Sequence, residues 1–327
     1  NDRERASPNH VLDRGDHQNK GEKVGMRPLG VLLPDGTPEL TTDKPRTTLA
    51  QWITTPDHPL TARVAVNRIW VTHFSRGIVA TPNDFGRMGS RPSHPELLDY
   101  LANKFVEGGW KWKPVHREIL LSSTYRQSSR SPLAKVAAEK DAENKLLWQF
   151  PRRRLDAEQL RDAMLSVSGV LNPKAGGPSV IVPVDKELVN LLYKPSQWKI
   201  DADPSQHDRR SIYLLAKRNL RLPFMEVFDA PDLQISCARR DASTHAPQAL
   251  ELLNGDLSNR LAEAFAARLE REHPKSRTGQ IDLAYRLTTG RVPTAPERQI
   301  ALQFLKTQPA REFALAMLNL NKFLYVE

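Results

Sequence analysis

The stretch of the chain richest in reactive side chains runs from residue 63 to residue 126. It holds Arg63, Asn67, Arg68, His73, Asn83, Asp84, His94, His116, Tyr125 and Arg126. A pair such as His73–Asp84 is the equipment of general acid–base chemistry, in which a carboxylate orients an imidazole and sets its charge. His73, Asp84, His94 and His116 also have the donor types of a transition-metal site. No spacing among them demands a shared ion, so no metal is assigned. The same side chains serve equally well to tie an Asn-Asp-Phe-Gly loop to flanking helices, because buried polar groups must be hydrogen-bonded. The framework reading is preferred, and no catalytic residue is assigned. Arg63, Asn67, Arg68, His73, Asn83, Asp84, His116, Tyr125 and Arg126 go forward as the candidate polar or ligand-binding cluster.

The elements that must position this cluster follow from periodicity. Residues 57–70 read DHPLTARVAVNRIW. Helical spacing puts Arg63, Asn67, Trp70 and Phe74 on one side, then Val64, Arg68 and Val71, then Val66, Ile69 and His73. Polar and apolar residues share faces, as in a central helix contacted on several sides. Thr61 is expected to cap a helix over 62–75 and Gly77 to end it. A loop over 80–92 leads to a Ser93–Glu96 capping box with Pro95 in the first turn, and another helix spans 113–129. The clearest helix lies in RRRLDAEQLRDAMLSVSGVL (152–171), with an Asp156–Gln159 box and a Leu160, Met164, Val167 stripe. Its Arg154, Glu158, Arg161 and Asp162 read as a charged helix face with an Arg154–Glu158 pair. Residues 172–184 and 209–217 have the content of two short strands that would pair, and AGGPS (175–179) reads as a turn rather than an anion cradle. Helices return afterwards, with a break at Gly255, a stop at Gly290 and a fresh Thr294–Glu297 start. The expected fold is mainly α: a multi-helix globular domain of about nine helices with a small β-hairpin or short sheet and long loops. Residues 1–46 read as an extended arm and 47–327 as one large helical domain, divisible into 47–150 and 151–327.

The totals bound the function classes. The chain has 327 residues, 39% hydrophobic, with 48 Lys+Arg against 38 Asp+Glu and a net charge of +10. Such a balance attracts nucleic acid, anionic lipid or acidic glycan, but equally describes a basic surface with arginines in internal ion pairs. A single cysteine, Cys237, excludes an internal disulfide framework and covalent haem attachment. No apolar run approaches a membrane span, so no transmembrane segment is expected. The start, NDRERASPNH, lacks both an initiator Met and an apolar signal core, and is read as the inside of a longer protein. Metalloprotease, nucleophile-elbow, phosphate-loop and dinucleotide signatures are absent.

Long motifs then add up. LAQWITTPDHPLTARVAVNRIW, HFSRGIVATPNDFG, PSHPELLDYLANKFVEGGWKWKPVHREILLSSTYRQSS, RRRLDAEQLRDAMLSVSGVL, GGPSV, FDAPD, PQALELLN and LNLNKFLYVE closely resemble a planctomycete domain of unknown function. The resemblance runs from about residue 14 to 327. That family sits at the C-terminal end of large exported proteins that often carry a cytochrome c-like domain and a second uncharacterised domain upstream. The resemblance therefore implies export to the periplasm or cell envelope, partners in those upstream domains, and haem, where there is any, in them and not in this chain. It supplies no catalytic residues. One departure is visible, since His58 stands where the pattern leads one to expect Asn before Pro59.

Two functions compete on these grounds. The first is a noncatalytic scaffold or interaction domain of an exported multidomain protein. The alternative is an enzyme or binding module for anionic (sulfated or uronic) polysaccharide, which needs Arg68, His73, Asp84 and His116 gathered in one concavity. A nucleic-acid role ranks last, because no aromatic residues are interleaved with the basic ones and no known module is present.

Overall fold

The computed structural model describes residues 9–327; the first eight residues of the expected arm lie outside that range. Among the described residues the fold is mainly α, with sixteen helices and two small antiparallel two-stranded sheets. Most of the added helices are single turns in connections that read as loops in the sequence.

The chain divides into two compact units, one ending at Arg126 and the other spanning Gln127–Glu327. The first opens with a hairpin, β1 (Asn9–Leu12) against β2 (Lys20–Val24), with an irregularity between His10 and Leu12. The helices α1 (Pro45–Ile53), α2 (Thr61–Phe74), α3 (Pro95–Glu107), α4 (Trp112–Leu121) and α5 (Ser123–Arg126) follow. Helix α2 packs on α3 and α4. The buried residues of this packing are Val66, Ile69, Trp70 and Phe74 from α2, Leu98, Leu101 and Phe105 from α3, and Val115 and Ile119 from α4. Only α3 and α4 show clean apolar stripes, whereas α2 buries polar Asn67 alongside its aromatics.

The second unit holds α6 (Ala134–Lys140), β3 (Arg153–Arg154), α7 (Ala157–Ser168), α8 (Lys186–Asn190), α9 (Pro204–His207) and α10 (Pro223–Val227). It continues with α11 (Ala246–Asn254), α12 (Asp256–Glu272), α13 (Arg277–Thr289), α14 (Ala295–Thr307), α15 (Ala310–Leu318), α16 (Asn321–Leu324) and β4 (Tyr325–Val326). The core is built on α7 and α12. Leu160, Met164 and Leu165 meet Leu261, Phe265 and Leu269, with Phe313, Ala314 and Leu318 of α15 closing over them. Burying side chains of this size contributes roughly 2 kcal/mol each. The expected strand pairing of 172–184 with 209–217 reduces to two parallel bridges, Asn172 to Arg209 and Val180 to Leu214. The sheet pairing that does form in this unit joins β3 to β4 at the end of the chain, Arg153 opposite Val326.

Candidate functional site

The entry to α2 is built by His58. Its Nδ1 accepts the backbone N–H groups of Leu60 (3.3 Å) and Thr61 (3.2 Å), two donors that a helix N-terminus leaves without partners. Trp52 holds the imidazole edge-on, with ring centroids 4.6 Å apart. Thr61 is thus a helical residue and not the cap, and its hydroxyl donates to Ile53 O at 2.7 Å. An Asn at position 58 offers the same short-range acceptor, which explains how either residue suits the turn.

Asn67 is fully buried and spends its whole amide on one residue twelve positions on. Its Nδ2 donates to Val79 O (3.0 Å), and its Oδ1 accepts Val79 N–H (2.9 Å). The side chain imitates a strand edge, so the chain after α2 is paired although no strand exists there. Ser75 ends α2 in the left-handed conformation at φ 61°. Gly77 is required by crowding instead: a Cβ there would lie 2.3 Å from Val79 O and 2.8 Å from the Asn67 amide. Ser93 is drawn into the same structure, its N–H donating to Ile78 O at 2.9 Å. The Ser93–Glu96 capping box therefore does not form, and His94 stands at the N-cap of α3 without a side-chain bond to the helix.

The remaining cluster residues go separate ways. Arg63 is bound to Asp99 (2.6 Å) and to Pro59 O (2.6 Å). Arg68 points outward from α2, and Asn83 and Arg126 are exposed. Asp84 accepts Gly86 N–H at 2.8 Å, while Thr81 Oγ donates to Asp84 O at 2.7 Å, so the 80–92 loop holds itself by local turns. What does converge is His73, His116 and Tyr125. His73 Nε2 and His116 Nδ1 are 2.8 Å apart, and the His73 ring meets Tyr125 edge-on at 5.6 Å. His73 is thus brought to His116 and not to Asp84. Of the four residues expected to line a polysaccharide site, His73 and His116 meet, while Arg68 lies exposed on α2 and Asp84 serves its own loop.

In the second unit the charged residues of 152–162 are not a solvated face. Arg154 lies buried over the Phe228 ring and binds Asp229 at 2.6 Å, not Glu158. Asp229 sits at φ 62° and also accepts Ser243 N–H (2.9 Å) and Ser243 Oγ–H (2.7 Å). Burial works against its charge, but the Ser243 donors and the Arg154 guanidinium hold its carboxyl below the usual carboxylate range. Glu158 pairs instead with both terminal nitrogens of Arg240, at 2.9 Å on one side and closer to 2.5 Å on the other.

Arg161 is buried and donates to Arg209 O (3.0 Å), Ser211 Oγ (3.1 Å) and His207 O (2.5 Å). Burial pulls its pKa down to about 10, against the opposing pull of Asp162 and Asp208. Arg209 is also buried, stacked 3.9 Å over the Tyr213 ring and donating to Lys174 O (3.1 Å) and Gly176 O. Gly176 N–H goes to the Tyr213 hydroxyl at 3.0 Å, so AGGPS is a docked turn. Beside this network a cleft of about 120 Å³ is walled by Leu215, Leu220, Leu222, Met225 and Pro231, with Glu158 and Lys217 among its lining. The signal that sequence periodicity missed was Arg161, which α7 buries together with Leu160 and Met164, while Arg154 precedes that helix in β3.

A family match covers residues 45–305, which are described as PSD1, a protein of unknown function (DUF1553). The chain belongs to the PSD1 family. No curated protein and no solved structure gives a significant match to it. The PSD1 match opens at the first residue of α1 and closes within α14, so it takes in the His58 cap, the Asn67 clamp, the His73–His116 pair and the arginine network. The β1–β2 hairpin lies outside it. So does α15, although its Phe313, Ala314 and Leu318 belong to the same core as the PSD1 helices α7 and α12. The family match is therefore narrower than the span from residue 14 to 327 that the motifs suggested.

Proposed function

We propose that this PSD1 domain is a noncatalytic scaffold or interaction domain of an exported multidomain protein, with upstream domains of the same protein, one of them cytochrome c-like, as its partners. One observation carries the reading. The polar side chains in its long motifs are used up on the fold's own backbone and ion pairs, through His58, Arg63, Asn67, Asp84, Arg154, Arg161 and Arg209. An active site leaves its donors and acceptors directed at a shared space; here they meet backbone N–H and C=O groups or a partner of opposite charge. Export and the upstream partners rest on the motif resemblance. Among the described residues no helix is long and apolar enough to cross a membrane.

The test is binding of the purified chain to the separately expressed upstream part of its own protein. Saturable binding that weakens when exposed Arg68 and Arg126 are changed to Ala, with the melting temperature unchanged, supports the reading. Binding to a sulfated or uronic oligosaccharide that is lost in the same variants would overturn it in favour of a glycan site. So would a turnover activity that His116→Gln abolishes without unfolding the chain.

A further inference from the structure

The His73–His116 pair joins two helices of the first unit through their imidazole rings. His73 lies in the last turn of α2 and His116 in α4, and the two helices pack directly. Their facing nitrogens are 2.8 Å apart, the ring planes are 76° to one another, and both residues are half-buried. As a hydrogen bond, this contact uses one ring's N–H and the other ring's lone pair. Moving that proton to the far nitrogen of its own ring is a tautomer change, not a change of charge. Both lone pairs then point into the same gap.

We propose that His73 and His116 form a two-imidazole site for a borderline divalent transition metal, Zn2+ or Cu2+. The nitrogen separation needs little adjustment, and each ring turns so that its lone pair aims to one side of the line between the two nitrogens. Two metal–nitrogen bonds of about 2.0–2.1 Å, meeting at a right or tetrahedral angle, set their nitrogens about 2.9–3.4 Å apart. Opening the pair by a few tenths of an ångström meets the lower end of that range. The donor set fixes the class of metal. Imidazole nitrogens suit Zn2+ and Cu2+, and Cu2+ stands highest in the affinity order, whereas Mg2+ and Ca2+ call for oxygen donors. Among the described residues no group of three or more His, Cys, Asp or Glu could hold a metal, so the chain supplies two positions and water or a partner's donor fills the rest. The Tyr125 ring flanks His73, and Phe74 meets Tyr125 edge-on at 5.9 Å, which gives the gap a rigid aromatic wall. Two other histidines are held by backbone groups. His58 caps α2, and His207 Nε2 bonds Asp201 O at 2.9 Å.

The experiment is a melting-temperature titration of the full chain with ZnCl2, CuCl2 or MgCl2 up to roughly 0.1 mM, since a ligand that binds only the folded state stabilises it by mass action. The expected result is a rise with Zn2+ or Cu2+ and none with Mg2+. EDTA should reverse the rise, and lowering the pH to 5.5 should weaken it, because protons compete for the imidazoles. His73→Gln and His116→Gln should each abolish it, and His94→Gln, at the start of α3, should retain it. Absence of any rise with Zn2+ and Cu2+, or a rise that survives in both Gln variants, overturns the proposal. Should a variant fail to fold, Cu2+ electron paramagnetic resonance of the unaltered chain decides. Hyperfine coupling to two nitrogens supports the site, and coordination by oxygen alone rejects it.

Discussion

Asn67 offers the sharpest test of how this fold is held. Asn67→Ala removes both bonds to Val79 and leaves a buried N–H and a buried carbonyl without partners. Each unsatisfied group costs about 1–3 kcal/mol, and relaxation around the small cavity recovers part of the sum, for a net loss of about 3 kcal/mol. At roughly 2–4 °C per kcal/mol for a domain of this size, the melting temperature should fall by about 6–12 °C. Asn67→Asp separates geometry from hydrogen bonding. Its shape is nearly the same, but at neutral pH it sets a carboxylate oxygen against Val79 O and buries a charge. Burial and that carbonyl both favour the protonated acid, so the folded-state pKa lies above the unfolded value of about 3.9. Stability is then fullest below about pH 4, where the acid's O–H donates to Val79 O, and is lost as the pH rises through the raised folded value. Urea unfolding followed by circular dichroism from pH 3 to pH 8 measures both variants against the parent. The expected pattern is a flat deficit for Asn67→Ala and a deficit for Asn67→Asp that grows with pH. A loss below about 1 kcal/mol for Asn67→Ala, or identical pH dependence in the two variants, refutes the clamp.

Other consequences follow from the same kind of reasoning. Gly77→Ala places a methyl against a backbone oxygen that cannot swing away, so its melting temperature should drop by several degrees, whereas Gly30→Ala, with open space around its Cβ, should stay close to the parent. Asp229→Asn keeps a residue that tolerates the left-handed conformation but strands the buried Arg154 cation, and equilibrium unfolding should show a loss of about 3–5 kcal/mol. Glu297 is held down to about pKa 2, first by its two bonds to Arg291 and then by the Thr294 N–H. Its contribution is therefore complete above the unfolded value of about 4.3 and is lost as the pH falls toward 2, so the stability gap between the parent and Glu297→Gln should close over that acid range in pH-stepped thermal melts.

The parts of this fold that sequence reading reached are those whose cause lies within a few residues. The Asp156–Gln159 and Thr294–Glu297 boxes form as written, because each closes across one helical turn. The Ser93–Glu96 box has the same spelling and does not form, since Ser93 finds Ile78 O, fifteen residues back, once the Asn67 clamp has brought that strand-like segment round. Arg154 and Glu158 are correctly spaced for a pair, but Arg154 is buried and takes Asp229, 75 residues away, leaving Glu158 to Arg240. The mixed faces of 57–70 announced a helix touched on several sides, and Asn67 is the reason. The His73–His116 contact was out of reach, because it depends on where α4 settles and nothing near His73 encodes that.

The stretch from Asn172 to Ser243 has little regular secondary structure, and arginines peg its backbone in place. Arg161 holds His207 O and Arg209 O, Arg209 holds Lys174 O and Gly176 O, and Arg221 holds Ala230 O. Every one of those seats is shaped for a guanidinium group. Guanidinium chloride is therefore more than a general denaturant for this molecule, since its cation is a soluble copy of the protein's own fastening. Competition for those seats should loosen the pegged loops at lower guanidinium chloride than unfolds the α7–α12 core, which hydrogen exchange along the denaturant series would read out. Urea, which carries no such likeness, has to melt loops and helices by the same weakening of apolar and peptide burial.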